Sequence, residues 1–176
     1  VFDMPGARNK LDFIRDFLRQ AQADKQHGII YTSTRKDAEE VAAFARETCK
    51  VEALHYHGML DAVTRARTQD AFLAGDVPLI VATNAFGMGI DRPDVRFVLH
   101  YAIPGSLEAY YQEAGRAGRD GLPARSILLY SGRDASTHEF FIENDAPSET
   151  ELRQVWDYVK KGNGPVLRED IERATK

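Results

Sequence analysis

Two arginines set among three glycines make the segment from Gln112 to Gly121 the part of this chain best suited to bind an anion. The arginines are Arg116 and Arg119, and their spacing of three residues on a helical turn places both guanidinium groups on one side. The glycines allow a close approach and an abrupt turn. A cation that only balances a helix C-terminus would explain one arginine but not the surrounding glycines.

A second segment of this kind runs from residue 83 to residue 93. Its glycines, Gly87 and Gly89, bracket Met88 and let the backbone come close to a partner. Asp91 presents a carboxylate at the end of the turn. We interpret the segment as functional because a purely structural turn would need only the glycines, and not its polar residues Thr83, Asn84, Asp91 and Arg92.

Two shorter loops are weaker candidates. Residues 32–36 combine hydroxyls, the start of a predicted helix and two cations, Arg35 and Lys36, which together suit a phosphate. A helix cap with solvated charges explains the same residues equally well. His57 follows another predicted strand, and a single histidine in a loop is more often structural than catalytic.

Strands and helices alternate along the first three quarters of the chain, which places these loops. Short apolar runs predict strands at 28–31, 51–56, 79–82, 95–101 and 126–130, and helical periodicity separates them. This order predicts an α/β fold with a mostly parallel sheet. In such sheets ligands bind at the carboxyl ends of the strands, where the candidate loops lie.

The predicted strands stop after Asp134. A capping box at Ser148 and Glu151 predicts a helix bearing Leu152 and Trp156. We expect one α/β domain over residues 1–135 and a helical extension over residues 136–176. The chain begins at Val1 without an initiator Met, and we expect it to be part of a longer protein.

The composition excludes several classes of protein. Hydrophobic residues make up 43% and charged residues 28% of 176 residues, which is typical of a folded globular protein. A net charge of -4 gives no overall basic footprint, so any nucleic-acid contact must be local. The single cysteine, Cys49, excludes internal disulfides and thiolate zinc sites. No apolar run could span a membrane, so we expect a soluble protein of a reducing compartment.

The candidate segments resemble the motifs of superfamily 2 helicases. Residues 112–119 are similar to motif VI, residues 83–91 to motif V, and residues 28–35 to motif IV. The wording ATNAFGMGIDRPDVRFVLHY and YYQEAGRAGRDG resembles the RecQ family of DNA helicases more than the DEAD-box RNA helicases, whose motif VI usually begins with His. The resemblance covers residues 1–135.

The resemblance implies a RecA-like three-layer sandwich that serves as the second motor lobe of an ATP-dependent helicase. By this resemblance Arg119 is the arginine finger, and Arg116 and Gln112 line the same cleft. Asp91 contacts nucleotide or orients an arginine, and Gly89 belongs to the same nucleotide-binding segment. ATP with Mg²⁺ is the implied cofactor, held mainly by a first lobe.

The resemblance also implies a track for one DNA strand and movement from 3′ to 5′. The implied partners are single-stranded and duplex DNA and the first RecA-like lobe, in a monomer that acts at the cytoplasmic nucleoid in DNA repair, recombination and replication. The residues expected to contact the strand are Ser33, Thr34, Arg35, His57, Thr83 and Asn84.

Two features depart from a complete RecQ enzyme. The sequence has no Gly-x-x-x-x-Gly-Lys-[Ser/Thr] loop and no Asp-Glu-x-His box, so we expect no ATPase activity without the first lobe. RecQ enzymes usually continue into a helical region with four zinc-binding cysteines. Residues 136–176 lie where that region begins and contain no cysteine. Either this branch dispenses with the metal or the remaining ligands lie beyond residue 176. The cysteine-free helix around Trp156 favours the first alternative, so we expect no zinc and no other metal site in this chain.

Three alternatives remain open at this point. The chain could be a lobe of a superfamily 2 RNA helicase, which matched DNA and RNA duplexes would distinguish. It could be a regulatory or protein-binding module without motor activity, although both arginines are retained. It could also be a nucleic-acid-binding module without ATPase activity, which its acidic pI of about 5.7 disfavours.

Overall fold

The computed structural model describes residues 2–3, 7–87, 90–132, 134 and 149–161, and the chain divides into two compact units. The first unit spans Val1–Ala135 and the second spans Ser136–Lys176. The candidate site residues all belong to the first unit.

Strands and helices alternate in the first unit, as the sequence predicts. The strands are β1 (Phe2–Asp3), β2 (His27–Tyr31), β3 (Ala53–Tyr56), β4 (Leu79–Ala82), β5 (Val95–His100) and β6 (Arg125–Tyr130). The helices are α1 (Ala7–Ala23), α2 (Arg35–Glu47), α3 (Ala62–Ala74) and α4 (Leu107–Ala114).

The six strands form one parallel sheet in the order β1-β6-β5-β2-β4-β3. The central strand β2 pairs with β4 and with β5, so that Ile29 lies opposite both Ile80 and Val98. The predicted α/β class is therefore confirmed. Because the strands are parallel, the loops that follow them meet at one edge of the sheet.

Helices cover both faces of this sheet. One face packs against α1 and α2, where Leu18 and Val41 join the core that contains Ile30 of β2. The other face packs against α3, whose Phe72 contacts the core that contains Ile29. Adjacent residues of β2 thus serve opposite cores, as the alternation of side chains along a strand requires. The result is a three-layer arrangement.

One glycine in the central strand is fixed by packing. A Cβ atom added to Gly28 would lie 2.2 Å from the ring of Phe97 on the neighbouring strand β5. Phe97 in turn packs edge-on against Phe17 of α1, with ring centroids 4.9 Å apart. Gly28, at the start of motif IV, therefore leaves the space that the ring of Phe97 needs to pack beneath α1.

Four predicted strands differ from the structure by one or two residues at one end, namely β2, β3, β5 and β6. The largest difference is in β3, which begins at Ala53 rather than Val51 because the backbone N–H of Val51 donates to the carbonyl of Ala45 in α2. The edge strand β1 was not predicted, since a two-residue strand has no periodicity to detect.

Arg92 has a structural position, and our interpretation of it as a functional residue is not supported. Its side chain is only 6% exposed and donates to the carbonyl of Phe72 and to the Asp94 carboxylate, at 2.7 Å for the second contact. The guanidinium also lies 4.9 Å from the centroid of the Phe72 ring. The hydrogen bonds of Arg92 therefore connect the end of α3 to the start of β5.

The second unit contains the helix α5 (Glu149–Lys161). Leu152, Trp156 and Val159 are exposed on it. The predicted capping residue Ser148 lies outside the described residues. Among the helices that are described, none has the length and apolar character needed to cross a membrane.

Candidate functional site

An open cleft of about 520 Å³ lies at the carboxyl edge of the sheet. The loop after β4 forms one wall, and α4 with the turns that follow it forms the other. The residues that line the cleft are Gly87, Ile90, Asp91, Tyr111, Gln112, Gly115, Arg116 and Arg119. The fold thus joins the two segments that the sequence singled out.

The two arginines reach the cleft from turns rather than from a helix. Ser106 caps the start of α4 by accepting from the N–H of Ala109 at 3.1 Å, but the helix ends at Ala114. Arg116 continues in a tight turn, with its N–H donating to the carbonyl of Glu113 at 3.2 Å. The prediction that both arginines face one side holds, although the geometry is that of consecutive turns.

Position 118 requires glycine for two reasons. Its φ of +69° lies in the left-handed region, and a Cβ atom there would lie 2.9 Å from the carbonyl oxygen of Leu122. Its N–H donates to the carbonyl of Val95 at 2.9 Å. The glycine between the arginines therefore lets their turn dock against the start of β5.

Arg119 pairs with Asp91 across the cleft. Its Nη1 atom donates to Asp91 Oδ1 at 2.8 Å and to the carbonyl of Ile90 at 3.1 Å. The Arg119 side chain is 38% exposed, and that of Asp91 is 86% exposed. Because an exposed pair of this kind is weak, the guanidinium can leave Asp91 for a stronger anion.

Arg116 lies deeper in the cleft wall. Its Nε atom is buried and has no hydrogen-bond partner among the described residues. Its Nη2 atom lies 3.3 Å from the position that a Cβ atom of Gly87 would take. Burial raises the pKa of Tyr31, and the positive charge of Arg116 opposes this shift, which places the guanidinium near the Tyr31 hydroxyl. A partly buried cation at a cleft wall suits an anionic ligand.

A buried acid–imidazole pair lies behind the arginines. The Nε2 atom of His100 is 2.9 Å from Oε2 of Glu113, and their side chains are 0% and 11% exposed. Sequence reasoning did not single out either residue. The glutamate inside motif VI was visible, but nothing in the sequence indicated that it faces the sheet.

The predicted DNA-contacting residues lie at the same edge, after the neighbouring strands β2, β4 and β3. Thr34 is the N-cap of α2, and its Oγ1 atom accepts from the N–H of Asp37 at 3.1 Å. Ser33, Arg35 and Asn84 are exposed, whereas Thr83 is buried. The structure therefore brings the six residues to one side of the lobe but leaves only some of them accessible.

His57 is buried beside α2, and it forms part of the group of residues that could hold a metal ion. Its Nε2 atom lies 3.0 Å from Oε1 of Glu39. Its ring stacks on that of His55, with centroids 5.5 Å apart. Within the described part of the chain, Glu39, His55 and His57 are the group whose potential ligand atoms lie within 4.8 Å of one another. The hydrogen bond to Glu39 holds the Nε2 atom of His57, whereas its Nδ1 atom is buried and has no partner among the described residues.

The structure therefore places most of the predicted nucleotide site in one cleft. Gln112, Arg116, Arg119 and Asp91 line it together, and Gly89 lies outside the described residues. Tyr111, which is 79% exposed, also lines the cleft. The two adjacent tyrosines before Gln112 are the sequence feature that could have indicated an aromatic residue in the cleft.

The arginine-lined cleft lies at the carboxyl edge of a helix-covered parallel sheet, where ligands bind in open α/β folds. Residues 9–121 match the family of the helicase conserved C-terminal domain. This match covers more than half of the 176 residues, so the chain belongs to that family.

Curated relatives specify the branch of the family. The chain is 49% identical over 130 residues to the ATP-dependent DNA helicase hus2/rqh1 of Schizosaccharomyces pombe, a match that covers 73% of this chain and 10% of that protein. It is 41% identical over 164 residues to the ATP-dependent DNA helicase RecQ of Bacillus subtilis, covering 90% of this chain and 27% of the relative. The domain is thus of the RecQ type, and it spans only a fraction of these relatives.

Solved structures agree on the fold. The Escherichia coli DEAD-box protein SrmB superimposes with a TM-score of 0.67 at 26% identity, over 75% of this chain and 76% of that one. The predicted RecA-like architecture is therefore confirmed.

Proposed function

We propose that this domain is the second motor lobe of an ATP-dependent DNA helicase that moves from 3′ to 5′ on DNA. The observation that carries the proposal is the cleft in which motif V and motif VI meet, with one exposed and one partly buried arginine. ATP supplies the phosphoryl transfer that drives the motor, and the two arginines fit its anionic end.

Arg119 is the arginine finger in this proposal. Its guanidinium is partly exposed, its planar fork suits phosphate oxygens, and its partner Asp91 is exposed and easily exchanged. Lobe closure brings Arg119 to the γ-phosphoryl group, where it stabilises the charge that develops in the transition state. Asp91 holds the side chain ready while the cleft is open.

Arg116 and Gln112 complete the nucleotide side of the cleft. Arg116 lies close to Gly87 of motif V. A movement of its guanidinium group would therefore displace the loop after β4. That loop begins at Thr83 and Asn84, on the proposed DNA side. We assign to Arg116 the coupling of nucleotide state to DNA contact, and to Gly89 a close backbone approach to nucleotide.

The loops after β2 and β4 form the DNA side of the lobe. Ser33, Arg35 and Asn84 are exposed and would contact the strand through its phosphates, without reading sequence. Thr34 and Thr83 shape the loops by capping α2 and by accepting from a backbone N–H. His57, held by Glu39, fixes the start of the third loop and would act from behind the contact surface.

The lobe alone is proposed to be inactive. The sequence has no phosphate-cradling lysine loop and no acidic box for Mg²⁺, so these must come from a first lobe, the principal partner. The two lobes of one monomer would close on ATP with Mg²⁺. Residues 136–176 are proposed to begin a following helical region that does without zinc, since they contain no cysteine.

A strand-separation assay with the full-length protein tests the function. The expected result is ATP-dependent unwinding of a DNA duplex with a 3′ single-stranded tail, and little unwinding of the matched 5′-tailed duplex. An RNA duplex of the same sequence is the comparison for the alternative, an RNA helicase lobe. Preferential unwinding of RNA would favour that alternative, and an absence of any ATP-dependent unwinding would favour a non-motor binding module.

A further inference from the structure

The helix that leads into the arginine turns is held to the sheet in an unusual way. Of the eight residues of α4, all of which the structure describes, Glu113 is the one that is buried. A short helix normally docks through apolar side chains, and isolated helices of this length are unstable. The docking of α4 therefore depends on a carboxylate.

The partner of that carboxylate is the last residue of β5. His100 is fully buried and lies at hydrogen-bond distance from Glu113, with 2.9 Å between Nε2 and Oε2. Its ring is sandwiched between Tyr31, stacked at 5.7 Å, and Tyr110 of α4 at 5.0 Å, both measured between ring centroids. The imidazole thus joins α4 to the centre of the sheet.

The hydrogen bonding of His100 favours one arrangement of its ring. Its Nδ1 atom is buried and has no partner among the described residues. A proton on Nδ1 would be a buried unpaired donor, whereas a proton on Nε2 is donated to Glu113 and leaves Nδ1 as an unpaired acceptor. His100 therefore serves as the donor and Glu113 as the acceptor of the bond that docks α4.

The turn that carries Arg116 is hydrogen-bonded to the end of α4. The backbone N–H of Arg116 donates to the backbone carbonyl of Glu113 at 3.2 Å. The side chain of the same glutamate is held by His100. Docking of Glu113 on the sheet therefore fixes the residue from which the Arg116 turn continues.

We propose that His100 and Glu113 are positioning residues, which dock the short helix α4 on the sheet and hold Arg116 in the geometry needed for ATP turnover. The inference rests on the proposed function of the cleft. It gives motif VI a second role besides presenting arginines, because the same segment supplies the carboxylate that docks the helix from which the Arg116 turn continues.

The test uses the full-length protein and measures kcat and KM for ATP at saturating single-stranded DNA. Glu113→Leu and His100→Phe should each lower kcat by ~10²-fold, the scale expected when a reacting group is misplaced by about 1 Å. KM should change little. His100→Gln, whose amide N–H can replace the Nε2 donor, should recover most of kcat. Glu47→Leu, at an exposed position of α2, is the matched control and should keep wild-type turnover.

A double-variant cycle separates positioning from a loss of folding. Because Glu113 is proposed to act through Arg116, adding Glu113→Leu to Arg116→Ala should cause little further loss of kcat. Losses that multiply would overturn the inference, as would wild-type kcat in Glu113→Leu. If Glu113→Leu does not fold, Glu113→Gln, which preserves the acceptor and removes the charge, enters the same cycle. Arg119→Ala is assayed in parallel: normal turnover there would overturn the proposed function, and with it this inference.

Discussion

Arg119 and Asp91 are 28 residues apart in sequence, and in the folded lobe the guanidinium donates to the carboxylate at 2.8 Å. The pair joins motif VI to motif V at the mouth of the cleft. Its exposure means that water competes for both partners, so the contact orients the arginine without binding it tightly.

Replacement of Arg119 by alanine should nearly abolish ATP turnover in the full-length protein. We expect a fall of ~10³-fold or more with ATP and DNA binding nearly intact, because the guanidinium acts on charge that develops in the transition state. Lysine should not rescue the loss, since it lacks the planar fork. Steady-state ATPase and nucleotide binding are the measurements, with Arg67→Ala on the exposed side of α3 as the control. Wild-type turnover in Arg119→Ala would mean that the arginine is structural.

Replacement of Asp91 by asparagine should lower turnover by less than the loss of Arg119. The amide can still accept a hydrogen bond but no longer attracts the guanidinium by charge, so the arginine is oriented less often. Melting should hardly change, because the side chain is 86% exposed. ATPase and thermal melting of Asp91→Asn, compared with Asp70→Asn on α3, make the measurement. A loss equal to that of Arg119→Ala would instead indicate direct contact of Asp91 with nucleotide or metal.

The isolated 176-residue chain should neither hydrolyse ATP nor bind it tightly. The cleft offers cations but no cradle for the β- and γ-phosphates, and DNA reaches only a few hydroxyls and cations. Isothermal titration with an ATP analogue should be nearly flat, and DNA binding should weaken steeply with added salt. DNA-stimulated turnover by highly purified chain would contradict the two-lobe proposal.

The chain should fold without a metal ion. The three possible ligands Glu39, His55 and His57 are already explained by a hydrogen bond and ring stacking. Thermal melting should therefore be the same with EDTA, with zinc and with neither. A drop in melting temperature with EDTA that zinc restores, and that His55→Ala removes, would reveal a metal site at this cluster.

Asp94 should make the stability of the lobe sensitive to acid. The hydrogen bond from Arg92 lowers the pKa of Asp94 to about 2. Because this lies below the unfolded value of about 4, the carboxylate stabilises the fold above that pH, and its contribution is lost as pH falls towards 2. The side chain is 46% exposed, so the effect should be modest.

Urea unfolding of Asp94→Asn at a series of pH values measures this contribution. The variant should be less stable than the wild type at neutral pH, and the difference should shrink below about pH 4. Asp70→Asn, at an exposed position of α3, is the matched control. A difference between Asp94→Asn and wild type that does not depend on pH would show that the ionised carboxylate is not the source of the stabilisation.

Much of this lobe could be predicted from local features of the sequence. Apolar runs of four to six residues, separated by helical periods, predict the strands β2 to β6 because burial on both faces of a parallel sheet leaves few polar positions. The prediction that residues 112–121 bind an anion follows equally from residue types, since arginines among glycines have few structural uses.

The tertiary structure alone decided which polar residues serve the cleft and which serve the core. Arg92 and Asp91 are neighbours with similar promise in the sequence, yet the fold buries the first against Phe72 and exposes the second to Arg119. From the sequence, Glu113 would be expected to be a solvated helix residue. In the fold its side chain contacts His100. Sequence patterns report the average environment of a segment, whereas the direction of one polar side chain depends on partners that are distant in the chain. For this reason the class of chemistry could be predicted from the sequence, but the pairing of charges required the packed sheet and helices.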